Sequence, residues 1–234
     1  MKQKATIYLL FLLIAMASLP AGAQESQETT AQPRQEEKSN PSGYFRVDTD
    51  ILSTQLWAAA TYDLGSGIGL ASDIYVVGTF AELDLGVAFS IGPVSLLPMA
   101  GIGFEFGEGD DDAPTEPQVA SLIAPQLFTI VDSSWLYFES WIQIFFNEVF
   151  IDGATDSFYT RNFLLVKTFD FIAIGPQVEI TYEFNNAAGD ELASLPLGGR
   201  VNVGYGENNT LGLFLGYDLK AEQLAGRFTF IRIW

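Results

Sequence analysis

From Tyr44 to Trp234 the chain alternates large apolar residues with small or polar ones, in segments of about ten residues. Leu83-Asp84-Leu85-Gly86-Val87-Ala88-Phe89-Ser90-Ile91 sets its large side chains on one face and acidic or small ones on the other. Val178-Glu179-Ile180-Thr181-Tyr182-Glu183-Phe184 and Leu211-Gly212-Leu213-Phe214-Leu215-Gly216-Tyr217-Asp218-Leu219 repeat the pattern. Successive strand residues point to opposite faces, so each segment reads as a β-strand with one oily and one wet side. The reading gives twelve strands: Tyr44–Asp50, Ser53–Leu64, Ile68–Val77, Phe80–Ile91, Val94–Phe106, Val119–Val131, Trp135–Asn147, Phe158–Phe169, Ile172–Phe184, Leu195–Tyr205, Thr210–Lys220 and Leu224–Trp234. Ten is the alternative, because the first hairpin carries the weakest pattern.

What the oily faces meet depends on where the chain goes. Residues 1–23 have the form of a secretory signal: Lys2 and Lys4, an apolar run from Ile7 to Leu19, and a small-residue cleavage site at Ala21-Gly22-Ala23. That run is shorter than the roughly 20 residues a bilayer-spanning helix needs. No later segment reaches 18 consecutive apolar residues. Backbone in lipid must pair internally, and a closed antiparallel transmembrane β-barrel does so without helices. The expectation is therefore an all-β barrel in the bacterial outer membrane, released from its signal near Ala23. Gln24 to Ser42 has Ala31 as its only apolar residue. It cannot bury a core and reads as a disordered periplasmic linker before a barrel over 43–234.

The connections agree. Outer-membrane barrels join strands by short periplasmic turns and longer outer loops. Working back from Trp234, the tight connections Gly206–Asn209, Asp170, Asp132-Ser133-Ser134, Gly92-Pro93 and Gly65-Ser66-Gly67 alternate with others. The longest is Gly107–Gln118. Both termini then lie in the periplasm. Pro98, Pro125 and Pro176 fall inside strands, where each removes a ladder donor and calls for a bulge or a rim position.

Alternation sends Leu85, Val87, Phe89, Ile102, Phe104, Phe138, Ile142, Ile144, Val178, Ile180, Val201, Val203, Leu213 and Leu215 to lipid. Trp135, Tyr182, Phe184, Tyr205 and Tyr217 sit near strand ends, as interfacial aromatic girdles require. The inner face receives Asp63, Asp73, Glu82, Asp84, Glu105, Glu139, Glu179, Glu183 and Asp218. Against them stand Arg161, Lys167, Arg200, Lys220 and Arg227. No Lys or Arg occurs between Arg46 and Arg161, so the early strands should form an acidic wall of Asp73, Glu82, Asp84 and Glu105. Arg161, Arg200 and Arg227 should form a basic one. Unpaired charge in a dry interior is costly. The lumen is thus either hydrated or filled by ion pairs, and twelve strands lie between side-chain-filled and aqueous barrels.

The last strand, Gly226-Arg227-Phe228-Thr229-Phe230-Ile231-Arg232-Ile233-Trp234, ends on an aromatic residue with Phe230 and Phe228 at alternate positions before it. In this the chain resembles bacterial outer-membrane β-barrel proteins of the porin-like class. The resemblance implies that Phe228, Phe230 and Trp234 present the signal read by the barrel-assembly machinery. Arg232 departs from the pattern and calls for a bulge or a snorkelling position near the rim.

Composition narrows the chemistry. Charged residues are 17% of the chain and aromatics 14%. Without Lys2 and Lys4, 9 basic residues face 29 acidic ones, which argues against nucleic acid as a partner. The chain has no His and no Cys. Ser–His and Cys–His catalysis and the usual zinc ligands are thereby removed, and neither catalytic residues nor a cofactor are expected. Asp110, Asp111 and Asp112 are weak candidates for a divalent cation at an outer loop. The expected protein is a monomeric passive channel for small polar or cationic solutes, in contact with outer-membrane lipid and lipopolysaccharide. A non-conducting structural or surface-interaction barrel is the alternative.

Overall fold

A computed structural model describes residues 41–50, 53–106 and 118–234. Thirteen strands form one antiparallel sheet: β1 Ser42–Asp50, β2 Thr54–Gly65, β3 Ile68–Val77, β4 Phe80–Ile91, β5 Val94–Glu105, β6 Gln118–Asp132 and β7 Leu136–Phe145. They continue as β8 Asp156–Phe169, β9 Ile172–Phe184, β10 Glu191–Ser194, β11 Pro196–Tyr205, β12 Asn209–Asp218 and β13 Gln223–Ile233. Each pairs with its neighbour in sequence except β10 and β11, which both pair with β9; β13 returns to β1, and β9 also pairs with β8. The sheet closes as a twelve-stave barrel in which β10 and β11 share a stave. No helix among the described residues is long and apolar enough to cross a membrane. The signal sequence, residues 24–40 of the linker, and Asp110, Asp111 and Asp112 lie outside the described residues.

The sequence placed one strand over Leu195–Tyr205, but the stave begins earlier and is broken. Glu191–Ser194 pairs with the upper part of β9, with a register shift between Leu192 and Ser194. Pro196 has no N–H to continue the ladder. The Leu195 amide instead donates to Asp218 Oδ1 at 3.1 Å.

The prolines are accommodated differently from the expectation. None lies at a register shift. Pro98 pairs with Leu127 of β6, and its gap falls on the β4 side, between Gly86↔Met99 and Phe89↔Leu96. Pro125 pairs with Ala100 of β5, and the β6–β7 ladder opens beside it. Pro176 pairs with Gly199 of β11, with its gap toward β8. Each lacks bonds on one flank while the other ladder holds it, so a closed barrel tolerates all three.

The connections at 66–67, 92–93, 133–135, 170–171 and 206–208 lie at one end of the barrel with the start of β1 and the end of β13, and the two-residue Gly78-Thr79 turn lies at the other. Gly92, with φ 58°, lets Ile91 and Val94 pair across a two-residue turn. Outward side chains are apolar and open to the surroundings: Leu85 and Leu215 are among the most exposed, with Leu70, Ile74, Ile102 and Leu213 behind them. Trp135, Tyr182, Tyr205 and Tyr217 are exposed near strand ends. Phe228 is exposed, Phe230 half-buried, and Trp234 closes the seam through reciprocal bonds with Gly43 (3.2 and 3.0 Å). Arg232 keeps regular register and points outward at the rim, donating to Asn209 Oδ1 at 3.3 Å. The rim position, not a bulge, explains it.

Candidate functional site

The functional space of a barrel is its lumen. Alternation aims Asp73, Glu82, Asp84, Glu139, Arg161, Glu179, Arg200 and Asp218 inward, and all eight are buried. Arg227 is half-buried among them. Glu105 has inward parity but stands exposed at the end of β5. It therefore belongs to the mouth, not to the acidic wall proposed for it.

The basic side is wider than the three expected arginines and is closely paired. Arg46, on β1, donates from Nη1 to Glu139 Oε1 of β7 at 2.7 Å. β1 and β7 are six staves apart in a ring of twelve, so this bond joins opposite walls. Arg161 of β8 reaches Asp48 of β1 at 2.7 Å, and Arg46 Nε lies 3.1 Å from the same carboxylate. Arg227 bridges Glu179 and Asp50 at 3.1 and 3.2 Å. Tyr137 and Tyr159 hydroxyls donate to Glu139 and Glu179. Buried charges tolerate removal from water only with such partners. The sequence reading missed Asp48 and gave Arg46 no role in the lumen.

Aromatic rings also face inward. Trp57 of β2 and Trp141 of β7 meet edge to face at 5.6 Å, Phe128 stacks on Trp141 at 5.5 Å, and Tyr75 tilts against Trp57 at 4.7 Å. Arg46 and Arg161 guanidiniums lie over Trp57, and Arg161 also over Trp141, at 5.4 to 5.7 Å. Cation–π contact of this kind adds to the pairing. At this level the lumen is crossed by side chains. Toward the tight-turn end it widens into a cavity of about 320 Å³ whose walls include Arg46, Tyr137, Glu139, Lys167 and Asn202.

The acidic side differs. Asp73 and Asp84 are register partners on β3 and β4, and Glu82 faces the same way two residues before Asp84. Among the described residues no Lys or Arg forms a salt bridge to any of the three. Both oxygens of Asp73 and of Asp84 are buried with no hydrogen-bond donor on them, as is Oε2 of Glu82. Glu82 Oε1 accepts from Gln143 Nε2 at 2.5 Å. Opposite, on β11, Arg200 is fully buried over the Phe163 ring at 4.4 Å. It donates to Asn202 and Gln177 at 2.7 and 3.0 Å, and its Nη2 has no partner. β4 and β11 are again six staves apart. An arginine with an unpartnered N–H and a group of acids that no guanidinium meets thus sit on staves six apart in the ring.

No family model and no curated protein matches the chain. Solved structures do. The NanC porin matches at 6% identity over 83% of this chain and 98% of its own, with a TM-score of 0.51. An outer membrane channel from Pseudomonas putida F1 matches at 10% identity over 83% and 94%, also at 0.51. A protein from work on in-meso crystallization of membrane proteins matches at 12% identity over 82% and 83%, at 0.54. The likeness is one of fold: the chain forms a closed antiparallel β-barrel similar to those of outer-membrane channels.

Proposed function

We propose that the protein sits in the outer membrane as a passive channel of restricted section, passing small polar or cationic species. The observation that carries this is the division of the lumen. Asp73, Glu82 and Asp84 present carboxylate oxygens without protein donors on one side, and Arg200 presents a free guanidinium N–H on the other. Buried groups left in that state need water or a passing solute to satisfy them. Facing charges of opposite sign orient a dipolar solute, and rings of acids favour cations in pores. The Arg46–Glu139 bridge and the Trp57–Trp141 contact cross the lumen and restrict its section, so large solutes are excluded. The chain has no His and no Cys, and the proposal assigns it no catalytic step.

Those same crossing contacts favour a second reading, a filled barrel that conducts nothing and serves as a structural or surface-interaction protein. Single-channel recording in planar bilayers separates the two. The channel reading expects small unitary currents from the wild type and larger ones from Trp141→Ala, which removes a ring from the constriction. Silence from both proteins, each shown to be folded by heat-modifiable migration, leaves the filled barrel standing.

A further inference from the structure

Three acids on one wall do not make a site by themselves. The decisive companion is Gln143. Its side chain is only 1% exposed and reaches over from β7 to donate to Glu82, yet its carbonyl Oε1 has no partner. A carboxamide oxygen held beside carboxylates is the donor type that hard cations take together with Asp and Glu. The wall is also shaped for the acids to lean inward. A Cβ built on Gly101 of β5 would stand 2.2 Å from Asp84 Oδ1 and 2.7 Å from Glu82 Oε1. Both carboxylates therefore converge over a position that only glycine leaves open. A small cavity of about 40 Å³, with Asp73 in its wall, adjoins the cluster. That exceeds the room one water requires.

No three carboxylates among the described residues stand close enough together to chelate one ion. The arrangement is instead two carboxylates and an amide carbonyl, with further charge next door. We propose that Glu82, Asp84 and Gln143 Oε1 hold a partly hydrated divalent cation such as Ca²⁺ inside the barrel, with Asp73 adding charge from the neighbouring strand. Asp84 also lies against Gln126, whose Oε1 accepts from Trp141 Nε1 at 2.8 Å, so the site is tied to the constriction. An ion here screens the acids that no arginine reaches. The site deepens the cation-channel reading and rests on it for its role, while its occupancy is a separate fact.

Tb³⁺ luminescence tests it, using the full chain refolded in detergent and excitation through the tryptophans. Tyr75, the register partner of Glu82, touches Trp57, so an ion at the site has sensitising rings beside it. The wild type should emit, and Ca²⁺ should displace the signal. Asp84→Asn and Glu82→Gln should each weaken Ca²⁺ displacement at least roughly tenfold, the scale on which loss of a supporting ligand acts. Gly101→Ala, which leaves every ligand present but crowds two of them, should weaken it as well. A variant lacking Asp110, Asp111 and Asp112 should keep the displaceable signal. Wild type without such emission, or emission that persists in Asp84→Asn and disappears with the loop acids, overturns the site. Ca²⁺ binding without any bilayer current sinks the channel reading and keeps the site. Current without Ca²⁺ binding does the reverse.

Discussion

Two sectors of one lumen solve the problem of interior charge in opposite ways. Around β1, β7, β8, β9 and β13, four acids and three arginines interlock: Asp48, Asp50, Glu139 and Glu179 each meet a guanidinium, and Tyr137 and Tyr159 fill remaining acceptor positions. Around β3 and β4, Asp73, Glu82 and Asp84 are equally buried and meet none. The paired sector behaves as structure, since its charges are consumed in holding opposite walls together. The unpaired sector and Arg200 are what remain for a solute. Neutralising charge in the two sectors should therefore have opposite consequences.

The largest effect falls on the paired sector. Arg161→Ala withdraws the 2.7 Å partner of Asp48 and empties the space over both tryptophans. Breaking a buried pair by removing one partner costs about 3–5 kcal/mol. Denaturant unfolding in detergent should register a loss of that order. Next comes the outer face. Leu213→Arg places a charge on the exposed apolar side of β12, where a cation near the bilayer midplane costs about 2–4 kcal/mol. Unfolding from lipid vesicles should show it, whereas a protein that keeps this face in water would be unaffected. The third effect has the opposite sign. Asp84→Asn with Glu82→Gln removes like charges that no cation meets, and in the absence of divalent cations it should leave stability unchanged or raise it by about 1 kcal/mol. A loss as large as that of Arg161→Ala would erase the distinction between the sectors. The smallest is Lys220→Ala, which breaks an exposed 3.3 Å pair with Glu191 at the loop end. Such pairs contribute roughly 0–1 kcal/mol, so its unfolding curve should nearly overlay the wild type.

Much of this barrel is legible in the sequence because a strand's period of two ties residue number to face. Leu83, Leu85, Val87 and Phe89 against Glu82, Asp84 and Ala88 is a statement about geometry before any coordinates exist. In the C-terminal two thirds the alternation of tight and long connections likewise follows from the chain having to turn at two unlike ends. Three features were hidden for physical reasons. The break at Leu195 depends on where Pro196 falls within a ladder, and a strand reading sees only that it lies near a strand start. Arg46 and Glu139 meet because they sit six staves apart at matching height, which requires closure and shear that no local pattern encodes. The inward rings Trp57, Tyr75 and Trp141 follow the same alternation as the lipid-facing ones, but they are apolar residues on the face expected to be wet. Only the pairing of β1 with β2, which sets Arg46 opposite Trp57, shows why the ring belongs inside.

The most direct measurement is the reversal potential of the refolded protein in a planar bilayer under a potassium chloride gradient. The divided lumen predicts a small current that favours cations, and a reversal potential that collapses toward zero in Asp84→Asn/Glu82→Gln. A wild-type current without preference for cations, or a preference untouched by that double substitution, would contradict the assignment of the acidic wall as the path.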